Sequence, residues 1–200
     1  MALRIGIGAL VAAIALMVWG LLFWNVLTVP EEFLQPLPGG EDVARAISRN
    51  VPESGVYIWP AADSSTAGNG AAAQSSAESY RRKGPLLHLF FVREGTVPQT
   101  VTTLARGLLQ FFVAAALAGC LLAAAELRLK SFAARAGFVF LAGLFATTLT
   151  NLGQPIWLNH PWGYHWLMAV YDSSNALLMG IVLALIVKPQ DERYWSLDGK

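Results

Sequence analysis

The chain has 200 residues, of which 55% are hydrophobic and only 14% are charged. Soluble domains usually carry about 25% charged residues, so the composition excludes an ordinary soluble domain. The 14 basic and 13 acidic residues give a net charge of +1, which excludes the strongly basic surface of a nucleic-acid-binding protein. A single cysteine excludes an intramolecular disulfide and any site built from cysteines alone.

The first long apolar segment, from Ile5 to Leu27, holds 23 residues without a charge. As a helix it would extend about 34 Å, enough to cross a hydrocarbon core of about 30 Å. A signal peptide is the alternative, but its apolar core would be only about 7–15 residues long and would end in small residues. Because this segment ends with Phe23 and Trp24, the sequence predicts an uncleaved anchor over residues 1–27.

Three further apolar segments cover residues 107–125, 137–152 and 166–187. Prolines and glycines between the last two predict a turn there. The predicted fold class is therefore an all-α membrane protein with four transmembrane helices and a small α+β extracytoplasmic insertion between helices 1 and 2. The predicted divisions are the first helix, an extracytoplasmic segment, the last three helices and a cytoplasmic tail, at residues 1–27, 28–103, 104–188 and 189–200.

The two short loops predict the orientation. The loop at residues 126–136 carries three basic residues, whereas the loop at 153–165 carries no lysine or arginine. Short loops rich in Lys and Arg stay in the cytoplasm. We therefore expect a multi-pass protein of the bacterial inner membrane with both termini in the cytoplasm and residues 28–103 and 153–165 in the periplasm.

Tryptophans concentrate near the predicted outer ends of the spans. Trp and Tyr are enriched where a membrane meets water, since their rings are apolar and carry one polar atom. This placement predicts an interfacial aromatic belt that comprises Trp19, Trp24, Trp157, Trp162 and Trp166.

The long segment between the first two spans has three predicted elements. Glycines and acidic residues at 39–42 predict the start of a helix that ends near Asn50. Two apolar runs, at 55–59 and 86–92, predict strands that can pair as a small sheet. Residues 61–79 between them are rich in Ala, Ser and Gly and predict a flexible insertion.

Asp172 places a carboxyl group inside the predicted fourth span, and helix packing alone gives little reason for it. It lies about six residues inside the predicted fourth span, and an ionisable group within a span indicates a functional site by default. Polar residues near it in the third and fourth spans predict an intramembrane cluster of Asp172, Asn175, Thr148 and Asn151. The cluster can serve either as adhesion between helices or as a pathway for a substrate or proton.

Small residues at four-residue spacing occur on two spans. One set is Ala176, Gly180 and Ala184, and the other is Ala115, Gly119 and Ala123. Such stripes allow helices to approach closely. They predict close packing within the bundle or against a neighbouring subunit.

The histidines give little indication of a cofactor or metal site. His160 and His165 flank a Pro-Trp-Gly-Tyr turn in the predicted outer loop, which makes them weak candidates for cofactor binding, because haem ligation usually takes a histidine that faces a cofactor cleft. The sequence holds no metalloprotease, P-loop or dinucleotide motif. It therefore predicts no metal and no cofactor of its own, although a partner complex can supply a bound lipid or pigment.

Several segments together resemble a group of bacterial four-span inner-membrane proteins with one extracytoplasmic insertion. The resemblance rests on residues 18–24, 51–60, Gly84-Pro85 and Asp172 at the start of the fourth span. It extends over nearly the whole chain and implies the four-helix architecture described above. The group has no assigned activity, so the resemblance implies no functional residues.

These observations predict a non-catalytic accessory or scaffold subunit of a larger bacterial membrane complex, such as a respiratory or photosynthetic assembly, with other membrane subunits as partners. The alternative is a small transporter or channel that uses the Asp172 cluster. An intramembrane enzyme would need a catalytic partner for Asp172, and the spans supply none, so we expect no enzymatic activity.

Overall fold

A computed structural model of the chain describes residues 1–27, 29–61, 78–97 and 99–188. The helices whose bounds lie within the described residues are α1 (Ala2–Asn25), α2 (Val29–Phe33), α3 (Gly40–Asn50), α4 (Val101–Ala124), α5 (Phe132–Thr150), α6 (Gly153–Leu158) and α7 (Trp162–Ile186). Residues 78–83 are also helical. The strands are β1 (Gly55–Trp59) and β2 (Leu87–Phe91). The chain divides into a helical unit, which includes residues 1–35 and continues from Pro98, and a smaller unit, Pro36–Val97.

Among the described residues, four helices are long and apolar enough to cross a membrane. They are α1, α4, a third stretch from Phe132 to Leu158 that contains α5 and α6, and α7. The predicted number of candidate spans is confirmed, and so is the combination of a mostly helical chain with a small two-stranded sheet.

The four long helices alternate in direction. At one end, Met1 and Ile5 of α1 pack against Leu122 of α4 and against Leu183 and Val187 at the end of α7. At the other end of α1, the Asn25 side chain accepts a hydrogen bond of 3.1 Å from Gln99, just before α4. The amino end of α1 therefore lies beside the carboxyl ends of α4 and α7.

Small residues bring α5 and α7 together. A methyl group added at Gly180 would lie 2.7 Å from the backbone oxygen of Ala136, and one added at Gly143 would collide with the Ala176 side chain. The stripe predicted on the fourth span is therefore buried against the third, with Ala176, Gly180 and Ala184 all buried. In lipid, packing of this kind holds helices together in place of the hydrophobic effect.

The second stripe faces α1. Ala115 is fully buried together with Ala9 and Ala12, and a methyl group at Gly119 would lie 3.0 Å from the Ile5 side chain. The helix α1 packs extensively against both α4 and α7, while α4 contacts α5 and α7 only sparsely. This uneven packing leaves a cleft between α4 and the α5–α7 pair.

The predicted starts of the third and fourth spans are wrong by about one helical turn. The helix α5 begins at Phe132, because the Ser131 hydroxyl accepts a hydrogen bond of 3.1 Å from the backbone of Ala134 and so caps the helix. The helix α7 begins at Trp162 after Pro161. The predicted turn at 153–165 contains the short helix α6, which Asn159 ends in the left-handed region with φ of 56°.

Arg135 lies within α5 and is 6% exposed. Its guanidinium donates hydrogen bonds to the backbone oxygens of Ala184 at 2.9 Å and Lys130 at 3.0 Å. Carbonyls in the last turn of a helix lack partners within the helix. Arg135 therefore satisfies one such carbonyl of α7 and places a positive charge at the negative end of that helix.

In the smaller unit, β1 and β2 pair antiparallel, with Gly55 opposite Phe91 and Trp59 opposite Leu87. The predicted helix ending at Asn50 and both predicted strands are confirmed. Arg93 follows β2, and its guanidinium donates to the backbone oxygen of Val51 at the end of α3. The predicted flexible insertion at 61–79 lies largely outside the described residues, as does the tail at 189–200.

Candidate binding cleft among the helices

Asp172 lies near the middle of α7. Since α7 begins at Trp162, Asp172 is about 15 Å along the helix from its start, deeper than the sequence predicts. Asn151 is the residue that follows α5. Its side-chain amide donates a hydrogen bond of 2.6 Å to one oxygen of the Asp172 carboxylate. Two members of the predicted polar cluster are therefore in direct contact, each from a different candidate span.

A cleft of about 440 Å³ lies between α4, α5 and α7 and includes Asp172 in its lining. Its other polar lining residues are Gln110, Thr147, Thr150 and Asn175. The remaining lining is apolar, with Ala114, Ala118, Leu121, Phe138 and Met179 among it. Clefts of roughly 300–1,000 Å³ with few polar groups and much apolar surface are typical of small-molecule sites.

The polar lining residues of α4, α5 and α7 lie at similar distances from one end of the helix bundle. Gln110 lies about 14 residues before the end of α4, and Asp172 lies about 14 residues before the end of α7. Thr147 lies about 15 residues after the start of α5, which runs in the opposite direction. At 1.5 Å per residue these three positions lie about 21–23 Å from the same end of the bundle. By the same reckoning Thr150 and Asn175 lie within about 6 Å of that height, and we call this zone the polar level of the cleft.

The apolar part of the cleft lies on one side of that level. Leu121 of α4, Phe138 of α5 and Met179 of α7 are all closer to the end of the bundle that contains Met1. The cleft is therefore amphipathic along its length, with a polar half and an apolar half.

Hydrogen-bond acceptors are left open in the polar half. The side-chain oxygen of Asn175 is buried and has no hydrogen-bond partner among the described residues. The Thr150 hydroxyl donates a hydrogen bond to the backbone oxygen of Ala146 at 3.0 Å, so its oxygen can act only as an acceptor towards another molecule. A buried acceptor without a partner costs about 1–3 kcal/mol, and a bound donor would remove this cost.

Thr148 differs from the other predicted cluster members. It is exposed, its hydroxyl bonds to the backbone oxygen of Leu144 in its own helix at 2.8 Å, and it is not part of the cleft lining. Neighbouring Thr147 is buried and lines the cleft instead. Gln110 was not among the predicted site residues, although a lone amide between Arg106 and the Ala-rich part of the second span is a signal that could have indicated it.

The predicted histidine pair is in contact but lies away from the cleft. His160 Nδ1 and His165 Nε2 are 3.1 Å apart, and the two rings stack. His165, which the sequence predicts in the outer loop, is buried in the first turn of α7. The described residues contain no group of three or more potential metal ligands, so the pair offers at most two ligands.

The tryptophans fall into two environments. Trp157, Trp162 and Trp166 are exposed, Trp157 by 81%. Trp19 and Trp24 are half-buried against α7, where the Trp19 ring nitrogen donates to the Ser174 hydroxyl at 2.8 Å and Trp24 packs edge-on against Tyr171. These two residues join α1 to α7, and the interfacial belt stays a prediction.

Comparison of the chain with known protein families, with curated proteins and with solved structures finds no match.

Proposed function

We propose that this protein is a non-catalytic membrane protein that binds a small molecule within the bilayer, in the cleft between α4, α5 and α7. The observation that carries this proposal is the single polar level beside an apolar half, formed by residues of three helices. Binding in such a cleft is also the first step of the transport function that the sequence leaves open as an alternative.

The cost of Asp172 supports a binding role over simple adhesion. A carboxylate near the centre of a span costs on the order of 2.5–3.5 kcal/mol on insertion. If adhesion were its only role, the polar groups around it would be expected to satisfy one another. Instead, Asn175 keeps a buried oxygen without a partner among the described residues, beside open volume.

We further propose that the protein lies in the bacterial inner membrane, with both termini in the cytoplasm and residues 28–103 and 153–165 in the periplasm. Support comes from the basic residues between α4 and α5, Arg128 and Lys130, which belong to the end of the bundle that contains Met1 and the carboxyl end of α7. Basic residues of short loops stay on the cytoplasmic side.

The test is to fill the cleft and follow the bound molecule. Ala142 of α5 is exposed and lines the cleft, whereas its neighbour Leu141 is 64% exposed and does not line it. We expect the purified wild-type protein to retain an organic-extractable molecule detectable by mass spectrometry. Ala142→Phe should lose it and Leu141→Phe should keep it. Equal retention by both variants, or no retained molecule in the wild type, would refute the proposal.

A second candidate function is that of an accessory subunit in a larger membrane complex, such as an energy-converting assembly. One face of the two-stranded sheet favours it, since Val56 and Phe90 are paired across the strands and are 64% and 73% exposed. Exposed apolar surface of this kind is common at sites of protein association. Mild-detergent purification should then recover co-migrating subunits that are lost in the Val56→Ser/Phe90→Ser variant, and recovery of the protein alone would contradict this function.

A further inference from the structure

We infer that the molecule bound in the cleft is a phosphate-free, single-chain amphiphile with a primary ammonium head group. This inference rests on the proposed function and specifies the class of its ligand. In this arrangement the head group lies at the polar level beside Asp172 and Asn175, and the chain extends along the apolar half towards Phe138 and Met179.

The charge of the lining favours a cation. Among the described residues that line the cleft, Asp172 is the single ionisable one, and no lysine, arginine or histidine accompanies it. An anionic head group would therefore meet a carboxylate with no compensating charge. A cationic head group would give Asp172 the partner that an ionisable residue inside a span normally has.

The open hydrogen-bonding positions favour a donor. The buried oxygen of Asn175 has no partner among the described residues. Asn151 contacts one of the two Asp172 oxygens, and the Thr150 oxygen can only accept. A primary ammonium has three donors and no acceptor. A quaternary ammonium carries the same charge without a donor, so this head group would leave the Asn175 oxygen unsatisfied.

The depth of the polar level excludes the head group of a resident bilayer lipid. Asp172 lies about 15 Å from one end of α7 and about 21 Å from the other, near the middle of a candidate span. Phospholipid head groups lie at the membrane surface, outside a hydrocarbon core about 30 Å thick. An aminophospholipid would also bring a phosphate next to Asp172, which the lining cannot neutralise.

The experiment compares amphiphiles with equal twelve-carbon chains by native mass spectrometry of the full-length protein released from detergent micelles at pH 7. The probes are dodecylammonium, dodecyltrimethylammonium, dodecanol and dodecanoate, with dilauroyl phosphatidylethanolamine as the bilayer-lipid probe. We expect the wild type to retain dodecylammonium at least tenfold better than every other probe.

One substitution tests the role of Asp172, and a second serves as its control. Asp172→Asn keeps the shape of the side chain and should remove the preference for dodecylammonium over dodecanol. Thr148→Val removes a hydroxyl one residue from Thr147 but outside the cleft lining, and should leave the preference unchanged. If Asp172→Asn does not fold, the comparison of probes on the wild type still decides the head group.

The remaining outcomes separate the two proposals. Equal retention of all single-chain probes by the wild type, with loss in Ala142→Phe, would overturn the ammonium head group and leave the binding function intact. Preferred retention of phosphatidylethanolamine would overturn the phosphate-free class. Retention of no probe, or equal retention by wild type and Ala142→Phe, would refute the binding function and this inference with it.

Discussion

Among single residues, Arg135 connects the two helices that pack most closely. Its guanidinium is buried and bonds to the last turn of α7 through Ala184 and to the loop before α5 through Lys130. A guanidinium keeps its charge in any protein environment and holds five donors in a fixed plane. It can therefore bond to two backbone oxygens that point from different directions.

Replacing Arg135 with methionine should lower the free energy of unfolding by about 2 kcal/mol, because two backbone oxygens lose their buried donor. The measurement is unfolding of the purified protein in mixed micelles, followed by circular dichroism. Arg128→Met is the matched control, since it removes the same charge from an exposed site in the same loop region. Equal destabilisation by the two substitutions would contradict a capping role for Arg135.

Asp172 and Arg135 illustrate what single residues reveal in the sequence. Asp172 is recognisable because a carboxylate within an apolar segment is costly wherever its partners lie. In the sequence Arg135 is only one of three basic residues in a predicted loop. Its bond to the last turn of α7 cannot be predicted, because it depends on which backbone oxygen of a distant helix comes within 3 Å of the guanidinium. Gln110 is recognisable as a lone amide in the second span, but its place in the cleft depends on the rotation of α4.

Among whole elements, the contact of α5 with α7 is the most extensive, and Gly180 lies in it opposite the first turns of α5. A Gly180→Ala substitution puts a methyl group 2.7 Å from the backbone oxygen of Ala136, and backbone cannot move aside without separating the helices. We expect Gly180→Ala to lower stability by about 1–3 kcal/mol, measured by the same unfolding assay.

Gly137 of α5 provides the control for this prediction. A methyl group there would meet nothing within 4 Å, and alanine favours a helix over glycine by about 1 kcal/mol in an exposed position. Gly137→Ala should therefore leave stability unchanged or raise it. If both substitutions had the same effect, close contact at Gly180 would not be what holds α5 against α7.

The elements themselves follow closely from local sequence. Long uncharged segments predict the four candidate spans, and the two apolar runs at 55–59 and 86–92 predict the sheet. The predicted starts of α5 and α7 are less accurate than the spans themselves. Charged or aromatic residues in the first turns of these helices resemble loop residues, and only the capping residues Ser131 and Pro161 indicate where the helices begin. The small-residue stripes predict close packing but do not specify which helix lies opposite.

At the scale of the whole molecule, the alternating helices make the orientation testable at two exposed sites. Leu127 follows α4 and is 75% exposed, whereas Ile156 in α6 is 58% exposed. In a Cys120→Ala background, we expect Ile156→Cys to react with a membrane-impermeant maleimide in spheroplasts. Leu127→Cys should react only in inside-out vesicles, because its loop carries the basic residues.

Labelling of Leu127→Cys in spheroplasts and of Ile156→Cys only in inside-out vesicles would reverse the proposed orientation. Labelling of both from the same side would contradict the alternating arrangement of the helices.

The cleft is a property of the whole helical unit, and the sequence pattern does not predict it. Its polar residues are individually visible, but the space between them exists because α4 packs against α1 and leaves α5 and α7 at a distance. Such pairing depends on the shapes of complete helix surfaces. The sequence therefore predicts a polar cluster between the third and fourth spans but not the second span that completes it.

The partners of α1 also determine the order in which the molecule can assemble during synthesis. The helices α5 and α7 are separated by few residues and can pair as soon as both have left the ribosome. Residues Ala9, Ala12 and Leu16 of α1 are fully buried, yet their partners in α4 and α7 are synthesised about 100 and 160 residues later. In the proposed membrane location, α1 would lie with its small-residue face against lipid until then, and completion of the bundle would wait for α7.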